Sequence, residues 1–129
     1  GNYIIKLANG QVNISDETVS RYLDFFVDAF MIYKAERYDV KGRKYIGSPL
    51  KYYFSDVGLR NARLNFRQQE ENHIMENVIY NELCNREFNV DVGVVEYCYK
   101  DENKKSKRAN LEIDFVANKG SKKYYIQSA

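Results

Sequence analysis

The chain has 129 residues, of which 44% are hydrophobic and 15% aromatic, and its formal net charge is only +2. This composition excludes a disordered segment, because enough apolar side chains are present to form a core. The length fits one compact domain or two small subdomains that share an interface. A net charge this small indicates no partner by itself, so only the distribution of the charges along the chain is informative.

Cysteine usage and hydropathy bear on the location of the protein. Cys84 and Cys98 lie in apolar-rich segments without the spacing of a metal site, which favours reduced thiols over a disulfide. No apolar run approaches the ~18 residues that a membrane span needs, and no secretory signal opens the chain. We therefore expect a cytoplasmic protein with no membrane partner.

The first half of the chain predicts one amphipathic helix followed by a β-hairpin. Ser15 is a good helix N-cap, and apolar residues follow it at spacings of three and four, namely Val19, Tyr22, Leu23, Phe26, Val27, Phe30 and Met31. A strand, a basic turn and a returning strand are expected over residues 31–56. This order is that of a winged helix, so residues 1–62 predict a winged-helix-like segment. The alternative is an ordinary helix and hairpin packed against the rest of the chain.

Basic residues concentrate at three predicted turns. They are Lys41, Arg43 and Lys44 in the first, Lys104, Lys105, Lys107 and Arg108 in the second, and Lys119, Lys122 and Lys123 in the third. The first two groups, together with Arg21 on the helix, are the candidate nucleic-acid-binding residues, and DNA is the predicted partner. Lysine-rich tips that serve solubility alone are the alternative. Three tips on one face of the protein would form a binding footprint.

The second half predicts a short helix capped by Asp56, then a long helix and three strands. The apolar stripe of the long helix is Ile74, Met75, Val78, Ile79 and Leu83. Glu76 borders this stripe, where a carboxylate needs a polar or cationic partner. A strand is expected over residues 90–99, with Gly93 marking a bulge. The whole chain is therefore predicted to be α+β, with a helix and a three-stranded antiparallel meander over residues 63–129.

The last predicted hairpin carries an unusual polar pattern. Alternation along its first strand places Leu111, Ile113 and Phe115 on one face, and Glu112 and Asp114 on the other. Two carboxylates two residues apart in an apolar hairpin indicate a site or the remains of one. A solvent-exposed acidic face, which antiparallel sheets often have, is the alternative.

These residues resemble the PD-(D/E)xK superfamily of restriction-endonuclease-like nucleases. In that superfamily a helix supplies a Glu, one strand supplies an Asp, and the next strand supplies an acidic-x-Lys triplet. The matching positions are Glu76, Asp114 and the triplet that starts at Gln127, in which Gln127 replaces the acidic residue and Ala129 replaces the Lys. The resemblance implies a truncated restriction-endonuclease-like core over residues 63–129.

The same resemblance implies a degenerate catalytic set of Glu76, Asp114 and Gln127. Asp114 and Glu112 would be the ligands of a weak or lost metal site, and Mg²⁺ is the cofactor that such a site implies. We expect little or no hydrolysis, because an amide replaces a carboxylate and a methyl group replaces a cation. Three carboxylates converging without a metal would repel one another, so Glu76→Gln should leave the stability unchanged or slightly raised.

The chain also resembles, from about Ile14 onward, the C-terminal domain of unknown function of predicted bacterial AAA-type ATPases. The recurring sequence motifs of that domain are found at residues 51–61 and 112–117. The resemblance implies a nucleic-acid-binding accessory domain, with a degenerate nuclease-like core, that works with an ATPase domain outside this chain. One alternative is a divalent-metal-dependent DNase. Another is a protein-interaction or oligomerisation module, which would assemble as a homo-oligomer.

Overall fold

The computed structural model describes residues 2–7, 10–63 and 71–128. Within these residues the elements, in chain order, are β1 (Asn2–Leu7), β2 (Gly10–Ser15), α1 (Asp16–Asp28), β3 (Ile32–Asp39), β4 (Lys44–Phe54), α2 (Val57–Arg63), α3 (Glu71–Asn85), β5 (Asn89–Lys100), β6 (Ser106–Lys119) and β7 (Lys122–Ile126). The predicted α+β class is confirmed.

Five strands form one mixed sheet in the order β4-β3-β5-β6-β7, while β1 and β2 form a separate hairpin. Neighbours in the large sheet are antiparallel except β3 and β5, which run parallel and pair from Arg37 with Val92 to Asp39 with Val94. Strands β5, β6 and β7 are the antiparallel meander expected in the second half. The domain division between residues 62 and 63 stays a prediction, but strands from both sides of it share this sheet.

Two of the helices begin where their capping residues predict. The hydroxyl of Ser15 accepts a hydrogen bond from the backbone N–H of Thr18 at 3.3 Å. Oδ1 of Asp56 accepts hydrogen bonds from the backbone N–H groups of Gly58 at 2.7 Å and Leu59 at 3.3 Å. These bonds satisfy N–H groups that have no partner inside a helix.

The hydrophobic core lies between α3 and one face of the sheet. Its buried members are Ala35, Tyr53, Tyr80, Val90, Val92 and Phe115, with Ile79 and Leu83 packed against them. The rings of Tyr53 and Tyr80 stack with their centroids 4.2 Å apart. Aromatic burial on this scale dominates the energetics of a small core.

Helix α3 buries only part of the stripe that its apolar spacing predicts, because Ile79 and Leu83 pack against the core but Met75 and Val78 do not. Met75 and Val78 belong to that stripe, yet their side chains are 41% and 50% exposed. The buried residues of α3 are Glu76, Asn77 and Tyr80. The prediction was wrong for Met75 and Val78. Glu76 and Asn77 are buried instead, because polar partners on β4 compensate the cost of their burial.

Asn77 holds α3 across the end of β4. Its Oδ1 accepts a hydrogen bond from the backbone N–H of Phe54 at 2.9 Å, and its Nδ2 donates to the carbonyl of the same residue at 2.7 Å. Nδ2 of Asn81 donates to that carbonyl at 3.0 Å. Because β4 is an edge strand, these amides provide partners for backbone groups that no neighbouring strand pairs.

Strand β6 contains a β-bulge opposite Gly93. The register advances from Asp91 to Gly93 on β5 while the partners on β6 move from Val116 to Ile113. A Cβ added to Gly93 would lie 2.8 Å from Cγ2 of Val116 and 2.9 Å from Cβ of Ile113. Gly93 therefore marks a bulge, but the extra residue lies on the facing strand. The strict alternation predicted along β6 was wrong, because the extra residue puts Glu112, the partner of Val94, on the same face as the core residues Val92 and Phe115.

Helix α1 is amphipathic, but the described part of the chain leaves much of its apolar stripe uncovered. None of its residues is buried, and Tyr22, Phe25 and Phe26 are 58%, 58% and 43% exposed. Leu23 and Phe26 line one side of a groove of about 400 Å³, and residues of β4 and α2 line the other. Among the residues described, no helix is long and apolar enough to cross a membrane.

Candidate functional site

A cluster of charged side chains occupies the sheet face beneath α3. Nζ of Lys51 lies 2.6 Å from Oε1 of Glu76 and 2.9 Å from Oε1 of Glu112. The second oxygen of Glu112 is 2.8 Å from the guanidinium of Arg37. The hydroxyl of Tyr53 donates a hydrogen bond to Oε1 of Glu76 at 2.6 Å. These five residues are called the Lys51 cluster below.

Four elements of the fold bring the Lys51 cluster together. Lys51 and Tyr53 are two residues apart on β4, so alternation places both on the same face. Arg37 comes from β3 and Glu112 from β6, where Glu112 pairs with Val94 of the intervening strand. The remaining carboxylate comes from α3, and it is 8% exposed. The cluster therefore depends on the packing of the helix against strands from both halves of the chain.

Burial and hydrogen bonding determine the protonation of the two groups that contact Glu76. Burial alone would lower the pKa of Lys51, but its hydrogen bonds to Glu76 and Glu112 outweigh that effect and raise the pKa. Burial also raises the pKa of Tyr53 well above its ordinary value, and the hydrogen bond to the Glu76 carboxylate raises it further. Lys51 is therefore a cation and Tyr53 a neutral hydrogen-bond donor at physiological pH.

Asp114 has a separate set of partners at the end of the chain. Its Oδ2 accepts hydrogen bonds from the backbone N–H of Ser128 at 2.7 Å and from the Ser128 hydroxyl at 2.6 Å. Burial acts to raise the pKa of Asp114, but these two bonds, the charge of Lys51 and a hydrogen bond from Gln127 together lower it. Asp114 is thus held as a carboxylate, mainly by the hydrogen bonds from Ser128.

The catalytic and metal-binding residues implied by the nuclease resemblance come together in part. Glu76 and Glu112 share one cation, Lys51, while Asp114 and Gln127 interact with each other. Gln127 follows β7 instead of lying within it. Ala129, which replaces the Lys of the nuclease triplet, lies outside the described residues.

The residues of the Lys51 cluster do not fit Mg²⁺. The ammonium group of Lys51 contacts Glu76 and Glu112, and Arg37 contacts the other oxygen of Glu112. A hard cation requires several carboxylate or carbonyl oxygens that can turn toward it. In the described ranges, no group of three or more His, Cys, Asp or Glu side chains is arranged to hold a metal ion. The expected mutual repulsion of the carboxylates is wrong for Glu76 and Glu112, since a cation lies between them.

Sequence reasoning did not identify Arg37, Lys51 and Tyr53 as members of this site. The sequence motif at residues 51–61 could have indicated two of them, because Lys51 and Tyr53 are two residues apart in a predicted strand and therefore share a face. The charged end of Lys51 within an apolar strand indicates an acidic partner. The identity of that partner depends on contacts distant in the sequence, which no local pattern shows.

The first two groups of basic residues lie at the same end of the sheet. Nζ of Lys41 donates a hydrogen bond to the carbonyl of Glu96 at 2.9 Å, which ties the β3–β4 turn to the β5–β6 hairpin. Arg108 lies 3.5 Å from the carboxylate of the same Glu96. The third group lies at the opposite end of β6, because Lys119 pairs with Lys122 across the β6–β7 turn. The three groups therefore do not form one continuous footprint.

Aspartates shape both turns at the basic end. Oδ1 of Asp39 accepts hydrogen bonds from the backbone N–H groups of Lys41 at 3.1 Å and Gly42 at 2.9 Å. Oδ1 of Asp101 does the same for Asn103 at 3.0 Å and Lys105 at 2.9 Å. These bonds define the course of the backbone in each turn. Arg21 is exposed on α1.

Comparisons with known proteins identify the family of this chain but assign no activity. A relative from Haemophilus influenzae, described as an uncharacterized protein, is 33% identical over 123 residues. This chain is covered to 95% by that match and spans 28% of the relative's length. No solved structure gives a significant match. The profile of a family described as a domain of unknown function (DUF8612) matches residues 3–70, and the chain therefore belongs to that family.

Proposed function

We propose that this chain is a nucleic-acid-binding accessory domain of an AAA-type ATPase, with a nuclease-like core that has lost its hydrolytic capacity. In this proposal α1 and the β3–β4 hairpin form a winged-helix-like unit, and α3 with β5, β6 and β7 forms a truncated restriction-endonuclease-like core. The observation that carries the proposal is the basic end of the sheet, where the β3–β4 turn and the β5–β6 hairpin meet at Glu96.

The composition of the basic end supports phosphate binding. Exposed cations there include Arg43, Lys44, Lys104 and Lys105. The backbone of the turns that carry them is held by internal hydrogen bonds, so little backbone entropy is lost when the cations meet a phosphate backbone. Two neighbouring hairpins of this kind can follow the backbone of a duplex, where lysine and arginine supply most of the sequence-independent affinity.

The Lys51 cluster supports a core without hydrolysis. A metal-dependent nuclease needs carboxylates that hold a divalent ion at the scissile phosphate. Here Glu76 and Glu112 neutralise Lys51, and the second oxygen of Glu112 contacts Arg37. The cluster therefore contributes a charge-balanced joint between α3 and the sheet. We expect no cleavage of a plasmid by the purified chain with Mg²⁺ or Mn²⁺.

The test of binding is the salt dependence of affinity for a labelled DNA duplex, measured by fluorescence anisotropy. Each phosphate contact contributes about 0.9 to the slope of log K against log salt concentration. The variant Arg43→Glu/Lys44→Glu should therefore reduce the slope by about 2. The matched variant Lys119→Glu/Lys122→Glu changes the net charge equally, from +2 to −2, because each Lys→Glu substitution lowers the net charge by 2. Its two substitutions lie at the other end of β6.

Equal slopes in the two variants would show that net charge alone drives binding and would reject the basic end as the contact surface. Absence of any binding at low ionic strength would reject the nucleic-acid proposal as a whole. Plasmid cleavage that is abolished by Asp114→Asn would instead restore the DNase alternative.

The ATPase context rests on the resemblance at residues 51–61 and 112–117 and on relative length. This chain spans only 28% of the Haemophilus influenzae relative, which leaves room in that protein for a larger domain. The proposal predicts that ATP hydrolysis by the full-length relative rises when duplex DNA is added. A full-length protein that hydrolyses no ATP, with or without DNA, would contradict it.

A protein-interaction module is the second candidate, and the groove between α1 and β4 favours it. The groove is lined by Leu23, Phe26, Met31, Ile32, Tyr52, Phe54, Leu59 and Arg63. An exposed apolar groove of this kind commonly binds another protein segment. Sedimentation equilibrium of wild type and Phe26→Ser separates self-association from a monomer. A monomer at all concentrations, in both proteins, would oppose the homo-oligomer.

A further inference from the structure

The sheet has a second face, opposite α3, that carries exposed tyrosines. Residues that pair directly across strands lie on the same face of a sheet. Tyr38 of β3 pairs with Gly93 of β5 and with Tyr45 of β4, and the rings of Tyr38 and Tyr45 are 5.4 Å apart. Tyr97 and Tyr99 follow Gly93 on β5 at even spacings, so alternation places them on this face as well.

The strand β7 extends the same face to the other edge of the sheet. Tyr125 pairs with Val116 of β6, which pairs with Asp91 of β5. Asp91 accepts a hydrogen bond from the hydroxyl of Tyr45 at 3.2 Å, which confirms that β4 and β5 present these side chains together. The surface formed by Tyr38, Tyr45, Tyr97, Tyr99 and Tyr125 is called the tyrosine face below.

The rings of the tyrosine face are accessible. Tyr45 is 58% exposed, Tyr97 37%, Tyr99 44% and Tyr125 53%. Tyr97 and Tyr99 lie side by side with their ring centroids 5.9 Å apart. They stand where β5 and β6 continue as a two-stranded ribbon, since the pairing of β3 with β5 ends at Val94.

Cations accompany these rings. Nζ of Lys123 lies 4.7 Å from the centroid of the Tyr38 ring. Lys107 pairs directly with Tyr99 across β5 and β6, so it lies on this face as well, where its Nζ is 3.2 Å from the carboxylate of Asp101. Two carboxylates act on Tyr45: Asp91 accepts its hydrogen bond, and the negative charge of Glu36 acts on it as well. Aromatic planes beside lysines suit a ligand that has both flat rings and negative charge, and a single strand of nucleic acid has both.

We propose that the tyrosine face binds single-stranded nucleic acid, with bases stacked on the exposed rings and the phosphates near Lys107 and Lys123. Binding of this type is sequence-tolerant, because every base has a flat face that can stack. Five strands at a spacing of about 4.8 Å give the face a width of about 19 Å, enough for several nucleotides. Sheets that present aromatic side chains to RNA use the same chemistry. The inference rests on the proposed nucleic-acid function and names the form of nucleic acid that this surface takes.

The experiment compares two double variants of the full chain in anisotropy titrations with labelled oligodeoxythymidine of about 16 nucleotides. Tyr97→Leu/Tyr99→Leu keeps two apolar side chains but removes the aromatic planes. Tyr97→Phe/Tyr99→Phe keeps the planes and removes only the hydroxyls. Stacking on one ring accounts for about a 5- to 150-fold change in affinity. We expect the leucine variant to weaken binding at least tenfold and the phenylalanine variant to remain within about threefold of wild type.

A second readout separates stacking from charge. The slope of log K against log salt should be the same in wild type and the leucine variant, because neither substitution removes a cation. Circular dichroism of both variants must match wild type, which excludes a general loss of the fold. An equal loss of affinity in the leucine and phenylalanine variants would overturn the stacking role.

The outcomes distinguish this inference from the function on which it rests. Duplex binding that depends on Arg43 and Lys44, together with no binding to the single strand, would overturn the tyrosine face while preserving the proposed function. No binding to either form would overturn both. Concentration-dependent self-association that is lost in the leucine variant, without nucleic-acid binding, would assign the face to a second copy of the chain.

Discussion

Replacing Lys51 with methionine tests whether the Lys51 cluster stabilises the fold. Methionine keeps most of the side-chain volume and removes the charge. The side chains of Lys51 and Glu76 are only 28% and 10% exposed, so the substitution leaves a buried carboxylate without its cation. We expect the free energy of unfolding at neutral pH to fall by a clear margin.

The size of that fall follows from two opposing effects. At the 2.6 Å separation of Lys51 and Glu76, an effective dielectric constant of about 20 gives a gross attraction of about 6 kcal/mol. The cost of removing both charges from water offsets most of it. Removing one partner of a fully buried pair typically costs about 3–5 kcal/mol. Because Lys51 and Glu112 are partly exposed, we expect a loss of about 2–3 kcal/mol.

The assay is urea unfolding followed by circular dichroism, with Lys34→Met as the matched control. Lys34 is an exposed lysine on β3, and its replacement should change the stability by less than about 0.5 kcal/mol. A double-mutant cycle adds Glu76→Gln, which should now cost about 1–3 kcal/mol by itself because a buried hydrogen-bond acceptor is weakened. The coupling energy between the two substitutions should be about 1–2 kcal/mol. A loss below that of Lys34→Met, or no coupling, would refute the reasoning.

Three further predictions concern backbone packing, pH and capping. Gly93→Ala should lower the stability by about 1–3 kcal/mol, because its Cβ would lie 2.8 Å from Val116. The control Gly47→Ala, which has no atom within 4 Å of its Cβ, should leave the stability unchanged. Equal effects of the two substitutions in urea unfolding would contradict the close packing at Gly93. The pKa of Asp114 is lowered, so its stabilising contribution is present above its unfolded pKa of about 3.9 and is lost as the pH falls through the folded pKa. The difference in stability between wild type and Asp114→Asn should therefore shrink between neutral pH and about pH 3, and a difference that grew on acidification would contradict it. Asp56→Ala should cost about 1 kcal/mol, and an unchanged thermal midpoint would show that its hydrogen bonds to the first turn of α2 contribute nothing.

The sequence by itself determined the local elements of this protein. Ser15 and Asp56 predict helix starts because a short polar side chain there can accept hydrogen bonds from the first N–H groups of the helix. Alternating apolar residues predict the strands of the meander, and Gly93 indicates a bulge. Each of these signals acts over a few neighbouring residues, so it can be read without knowing the rest of the fold.

The tertiary structure alone decided which face of α3 is buried. The helix spacing favours Met75 and Val78, but contacts with β4 select Glu76 and Asn77 because partners there satisfy their polar groups. Those partners lie more than twenty residues away in the sequence. Periodicity assigns every residue of the apolar stripe to the core. This assignment fails where specific polar contacts stabilise the burial of polar residues on a neighbouring side of the helix.

The candidate site shows the same division between local and long-range information. The sequence identified Glu76, Glu112 and Asp114 as carboxylates that approach one another, and two of them do share a site. It could not show that Lys51 lies between Glu76 and Glu112, because these three residues come from β4, α3 and β6, segments distant in the sequence that only the tertiary structure brings together. The cation that these carboxylates contact is therefore Lys51, a side chain of the same chain, and they form an ion cluster with it instead of the predicted metal site.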